Sequence, residues 1–259
     1  MADERLPLFE DDLAEPGVIE AHMMHVGADP VAPAAVLCFF NELLERLAAE
    51  GRLRVVHTLR SEIGVNPVYE LATDAGAVTV VHPGVGAPLA AAITEELVAL
   101  GVTTFVACGG AGALAGDLAL GHVMVVTSAV RDEGTSLHYV APTRVIDADP
   151  LGVDVLSAAL DGRGVAHYRG RTWTTDGFFR ETPSRVARRR DEGCTMVDME
   201  SSAFLAVARY RSLRFAQLLY AGDSLAGEAW DSRQWDRAGE VRELLFGVAA
   251  AAARALHDA

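Results

Sequence analysis

Val78-Thr79-Val80-Val81-His82-Pro83-Gly84-Val85-Gly86-Ala87-Pro88-Leu89-Ala90 is the stretch whose reading decides the fold. A β-branched run ends in a turn with two glycines, and apolar residues at helical spacing follow from Ala90 to Leu100. Gly101 stands where a helix stops. The pattern is strand, turn, helix. Its glycines permit close backbone approach, and amides at the start of the helix face any anion placed there.

The same alternation extends outward. Strands are expected at Ala34–Phe39, Arg54–His57, Val68–Leu71, Thr104–Cys108, His122–Val130, Thr195–Val197 and Arg214–Tyr220. Helices are expected at Asn41–Glu50, from Pro150 to about Leu160, at Ser201–Arg209 and at Ala238–Leu256. Gly109-Gly110-Ala111-Gly112 reads as a second turn closing a buried strand. Alternation of this kind builds a three-layer α/β/α sandwich around a central, mostly parallel twisted sheet, with ligands at the carboxyl ends of the strands. Residues 1–30, acidic and punctuated by Pro and Gly, read as a lead-in to one domain over 31–259.

Composition removes several chemistries. The 259 residues carry 22 Lys+Arg against 36 Asp+Glu, a formal charge of −14, and all 22 cations are arginines. Without lysine there is no P-loop, Schiff-base or PLP enzyme. The acidic balance argues against nucleic acid as a partner. An acidic N-terminus, no apolar run long enough to span a bilayer, and three dispersed cysteines predict a cytoplasmic protein with no membrane partner. His22-x-x-His25 lacks a third ligand, so neither a metal nor another cofactor is expected. Ser136-Leu137-His138 has no nucleophile elbow beside it.

Two further segments carry carboxylates at strand ends. In Met196-Val197-Asp198-Met199-Glu200-Ser201, Glu200 either caps the helix that follows or binds a sugar hydroxyl. In Tyr220-Ala221-Gly222-Asp223-Ser224, Asp223 follows an apolar strand as a loop cap or a general acid.

These segments, in order, resemble the nucleoside phosphorylase/nucleosidase family. The likeness runs through Gly84-Val85-Gly86-Ala87-Pro88, Glu95-Glu96-Leu97, Gly109–Leu114, Gly121-His122-Val123 and Ala129–Tyr139. It resumes at Thr175-Asp176-Gly177-Phe178-Phe179, Val197-Asp198-Met199-Glu200 and Gly222-Asp223. The resemblance implies cleavage of the N-glycosidic bond of a nucleoside with transfer of the ribosyl group to phosphate. Asp198, Met199 and Glu200 would attend the ribose, and Phe178, Arg131 and His138 the base. Asp223 would protonate a purine-like leaving base, since no Gln-x-Arg uracil pair follows Phe179. It also implies a homo-oligomer, a dimer or hexamer of dimers, with Arg60 lent across an interface.

The departures bear on the acceptor. Where the family has a Gly-Asp-Pro-x-x-Arg phosphate loop, this chain reads Cys38-Phe39-Phe40-Asn41-Glu42-Leu43. Where it has Arg-Val-Gly-Thr, the chain reads Ala107-Cys108-Gly109-Gly110, and Leu89 replaces a serine. Gly86, Gly110 and Arg60 are left as the anion ligands. Loss of the other groups keeps two alternatives open. One is a nucleosidase using water with Glu42 as base, and the other a nucleoside- or nucleotide-binding protein without catalysis.

Overall fold

Strand β4 (Gly76–Val81) and helix α2 (Ala87–Ala99) form where the opening stretch put them. Pro88 lies in the first turn of α2, where a missing N–H costs nothing, and Gly101 at φ 99° ends it. A computed structural model describes residues 6–10, 12–235 and 238–259. The expected helix over 238–256 is thus within the described residues, whereas 1–5 and 11 of the lead-in lie outside them.

Before β4 come β1 (Ala34–Cys38), α1 (Asn41–Ala49), β2 (Leu53–Ser61) and β3 (Gly64–Thr73). After α2 come β5 (Thr104–Ala113), β6 (Val123–Asp132), β7 (Val145–Asp147), α3 (Pro150–Asp161) and β8 (His167–Thr175). The chain finishes with α4 (Pro183–Asp191), β9 (Cys194–Asp198), α5 (Ser201–Tyr210), β10 (Arg214–Ser224) and α6 (Gly239–Asp258).

The ten strands make one sheet in the order β10-β6-β8-β9-β5-β1-β4-β3-β2, with β7 beside β6. The layered α/β architecture matches expectation, but the sheet is mixed rather than mostly parallel. β1 pairs in parallel with β4 and β5, and β8 with β6 and β9. The β2–β3–β4 meander, β5–β9, β6–β7 and β6–β10 are antiparallel. β10 also pairs in parallel with β5, so β5, β10, β6, β8 and β9 close into a ring.

That closure explains the glycine cluster. Gly109–Gly112 is not a turn but the continuation of β5, paired to β10 and then β9. A Cβ on Gly112 would lie 2.7 Å from Leu225 and 2.9 Å from Val197. Small residues let the ring strands approach, and Ala111, Ala113, Met124, Met196, Leu219 and Ala221 fill the space between them.

Outside the ring, one layer packs α1, α3 and α6 through Leu44, Leu156 and Leu245 onto Val36, Val106 and Leu218. The other packs α2 and α5 through Leu97 and Phe204 onto Leu37, Phe105 and Phe215. The lead-in lies across α2: His25 reaches Glu96 at 3.2 Å, and Arg211 bridges Glu20 (3.0 Å) and Glu95 (2.8 Å). Among the described residues no helix is long and apolar enough to cross a membrane, and no group of three His, Cys, Asp or Glu could hold a metal ion.

Candidate active site

The glycine turn and the β9–α5 junction meet. Gly86, at φ 93°, takes a backbone conformation that favours glycine, and its N–H donates to Glu200 Oε1 at 2.6 Å. Glu200 is 6% exposed. Burial, reinforced by the neighbouring Asp198, pushes its carboxyl up to about 8. Near neutrality it therefore carries a proton much of the time, and can donate as well as accept a hydrogen bond. Met199 beside it is half-buried.

Asp198 does different work. Its Oδ1 accepts from Thr172 (3.2 Å) and Thr174 (2.9 Å), and its Oδ2 from the N–H groups of Glu200 (3.1 Å) and Ser201 (2.6 Å). Four bonds fill the lone pairs of a carboxylate. The N-terminus of α5 is thus capped by Asp198 rather than by Glu200, which frees Glu200 and leaves Asp198 nothing for a ribose.

The glycine turn also holds His82. Its Nδ1 accepts the Gly84 N–H at 3.0 Å, which in the neutral ring puts the proton on Nε2. Burial lowers its pKa, against the pull of the Phe39 backbone and Glu42.

At the other end, β10 carries one extra residue. Ala221 pairs with Ala111 and Ser224 with Ala113, so Gly222 and Asp223 together span one step of β5. This β-bulge re-aims Asp223, as bulges beside functional sites do. Gly112 lies beside it, with its Cβ position 3.5 Å from Asp223 Oδ1. Oδ2 accepts from the Trp230 indole at 2.7 Å. Glu181 adds a second carboxyl, pushed up to about 7 by burial and then by the charge of Asp223. Phe178 and Phe179 pack on each other at 3.9 Å and remain exposed.

The remaining candidates separate. Arg131 is spent on its own loop, bonding Ser136 Oγ, Thr143 Oγ1 and the carbonyls of Val140 and Ala141. His138 lines a different cleft, of about 490 Å³, with Asp12, Glu15, Glu95 and Arg211. That cleft includes none of Gly86, Glu200 and Asp223. Arg60 is exposed on β2, at the edge of the sheet, and its side chain has no hydrogen bond or ion pair among the described residues. Gly110 is the single exposed position of β5. Glu42 is not an unpartnered base: its exposed carboxylate is bonded by Arg242.

The residues that motif reading missed are His82, Glu181, Trp230 and Arg242. His82 adjoins the glycine turn and Glu181 follows Phe178 by three positions, so proximity to a recognised motif was an available signal. Trp230 and Arg242 arrive from loop 225–235 and α6, for which spacing gives no signal.

Residues 33–257 match the model of the family described as the Phosphorylase superfamily. A guanosine phosphorylase of Halorubrum lacusprofundi is 36% identical over 152 residues, which are 58% of this chain and 61% of that protein. The chain thus spans less than two thirds of that relative's length. Among solved structures, purine nucleoside phosphorylase from Toxoplasma gondii in complex with immucillin-H superposes with a TM-score of 0.76 at 22% identity, covering 88% of this chain and 92% of that one. AMP nucleosidase from Bacteroides thetaiotaomicron gives 0.70 at 21%, covering 87% and 89%. At those identities the likeness is one of fold.

Proposed function

Because the chain belongs to the phosphorylase superfamily, we propose that it cleaves the N-glycosidic bond of a nucleoside with a purine-like base and passes the ribosyl group to phosphate. The observation that carries this reading is Glu200, uncoupled from helix capping and hooked onto the Gly86 amide. A buried carboxyl in that setting suits ribose hydroxyls, with Met199 against the apolar face of the sugar. As the C–N bond breaks, its electron pair passes to the base nitrogen, which takes a proton from Asp223, and an acceptor oxygen bonds the anomeric carbon. The exposed face of Phe178 suits stacking of the base. Glu181 beside Asp223 supports a base that offers N–H donors, in keeping with the name of the guanosine phosphorylase relative.

A second reading, with water as acceptor, is favoured by one observation. Leu43 and Ala107, where the resemblance expects arginines, are 3% and 0% exposed in the core. For phosphate, Arg60 would come from another copy of the chain, and the exposed Ile63 and Val65 on the same hairpin support a homo-oligomer.

The test is release of free base from a panel of purine and pyrimidine nucleosides and 5′-nucleotides, with and without phosphate. Release that needs phosphate supports the first reading, and equal release without it supports water. No release from any substrate, with one of them raising thermal stability, would leave a binding protein.

A further inference from the structure

We propose that Arg242, on the C-terminal helix, is the cation at the acceptor end of this site, and that Glu42 holds its guanidinium until a phosphate-class oxyanion takes that carboxylate's place. The inference rests on the glycoside-cleaving reading for what the site does, and on its own geometry for the residue.

Arg242 is buried in a slot beside two rings, with its guanidinium 5.5 Å from the centre of Phe40 and 5.3 Å from that of Trp235. Nε donates to the Tyr220 hydroxyl at 3.0 Å, and one terminal nitrogen to the Trp235 carbonyl at 3.2 Å. Two positions of the planar fork are therefore fixed. The other terminal nitrogen meets Glu42. An arginine fork held this way is preorganised for a planar carboxylate or for two oxygens of a phosphate.

The slot adjoins the Asp223 bulge, since a Cβ on Gly222 would lie 3.4 Å from Trp235. Tyr220 is the register partner of Gly110, and a Cβ on Gly110 would lie 3.2 Å from the Tyr220 ring. A side chain at this exposed position would thus crowd the phenol that Arg242 holds. Glu42 lies in the first turn of α1, just beyond the carboxyl end of β1, and its charge is felt by His82 in the glycine turn.

The two partners are unequally buried: the side chain of Arg242 is 7% exposed and that of Glu42 58%. A buried cation left unpaired is costly, so this position calls for an anion. Here the buried cation is fixed, while the one carboxylate that meets it among the described residues is mostly exposed, on a rotatable stem. That is the arrangement of an exchangeable counter-ion. It also supplies a positive charge that the replaced positions, Leu43 and Ala107, do not.

The probe is inorganic phosphate, titrated calorimetrically into the full-length protein at fixed ionic strength, with circular dichroism confirming the fold of each variant. Wild type is expected to bind phosphate, and Arg242→Gln to bind it at least about tenfold more weakly. Glu42→Gln is expected to tighten binding about threefold or more, because it removes the competing carboxylate. A merely structural ion pair predicts no such tightening, so Glu42→Gln decides the matter even if Arg242→Gln fails to fold. The inference is overturned if wild type binds no phosphate, if a folded Arg242→Gln binds as wild type does, or if Glu42→Gln leaves affinity unchanged or weaker. Phosphate binding without release of base from any nucleoside would instead remove the glycoside-cleaving reading and leave the anion site standing.

Discussion

Glu200 is where pH acts on the site most directly. Its carboxyl ionises near 4.5 when exposed and at about 8 in the fold, so the folded state favours its protonated form. That contribution is fully present below pH 4.5 and is lost as pH rises through about 8. Glu200→Gln keeps a neutral group of the same shape and does not suffer the loss. The melting temperature of the variant is therefore expected to gain on wild type by several degrees between pH 5 and pH 9, and a constant gap would contradict the burial argument. Asp223 makes the complementary prediction. Asp223→Asn keeps an acceptor for the Trp230 indole but has no acid proton, so kcat on a purine nucleoside should fall by about 10²-fold or more. Unchanged turnover in a base-release assay would remove Asp223 as the acid.

At the scale of elements, the glycine positions carry most of the geometry. A Cβ on Gly152 of α3 would meet the Phe215 carbonyl oxygen at 2.5 Å. That contact is backbone, which cannot swing aside, so Gly152→Ala should lower stability by roughly 1–3 kcal/mol in denaturant titration, with turnover per folded molecule unchanged. Gly112→Ala also crowds neighbours, but beside Asp223, so its cost should appear in kcat as well as in stability. The elements with strong apolar periodicity were readable from sequence: β4 and α2, β1, and the strand ending at Tyr220. β8 and α4 were not. His167–Thr175 mixes arginine, histidine and threonine because a ring strand meets several environments along its length. Pro183–Asp191 offers Val186 as its one large apolar anchor and buries Arg189 instead. In the site, Gly86 and Glu200 were legible as separate motifs, though their bond was not. Asp198 and Glu200 look alike in sequence, and only the threonines of β8 determine which of them becomes the cap. The Glu42–Arg242 contact joins residues 200 apart, beyond any local pattern.

At the scale of the whole molecule, the lead-in is held near Glu20 by charged groups, while Ala28 and Val31 pack against the core. Arg211 bridges Glu20 to Glu95, and His25 meets Glu96. The Arg211 pairs are partly exposed, each contributing about 1 kcal/mol or less. Arg211→Ala should therefore cost little global stability while releasing residues 12–24, seen as faster limited proteolysis in that segment with the melting temperature nearly unchanged. An equal rate of cleavage would mean that packing, not charge, holds the segment down.

The bulge in β10 also means that the site depends on counting as well as on chemistry. Side chains along a strand alternate between two faces, so one supernumerary residue reverses the parity of everything beyond it. Deleting Gly222 would leave Asp223, Glu200 and Gly86 all present, yet the aspartate would fall into regular pairing opposite Gly112 and the strand would rejoin β5 without the kink that aims it. A single-codon deletion at this point would therefore be more damaging than many substitutions around it, and an inventory of retained residues would not reveal the loss.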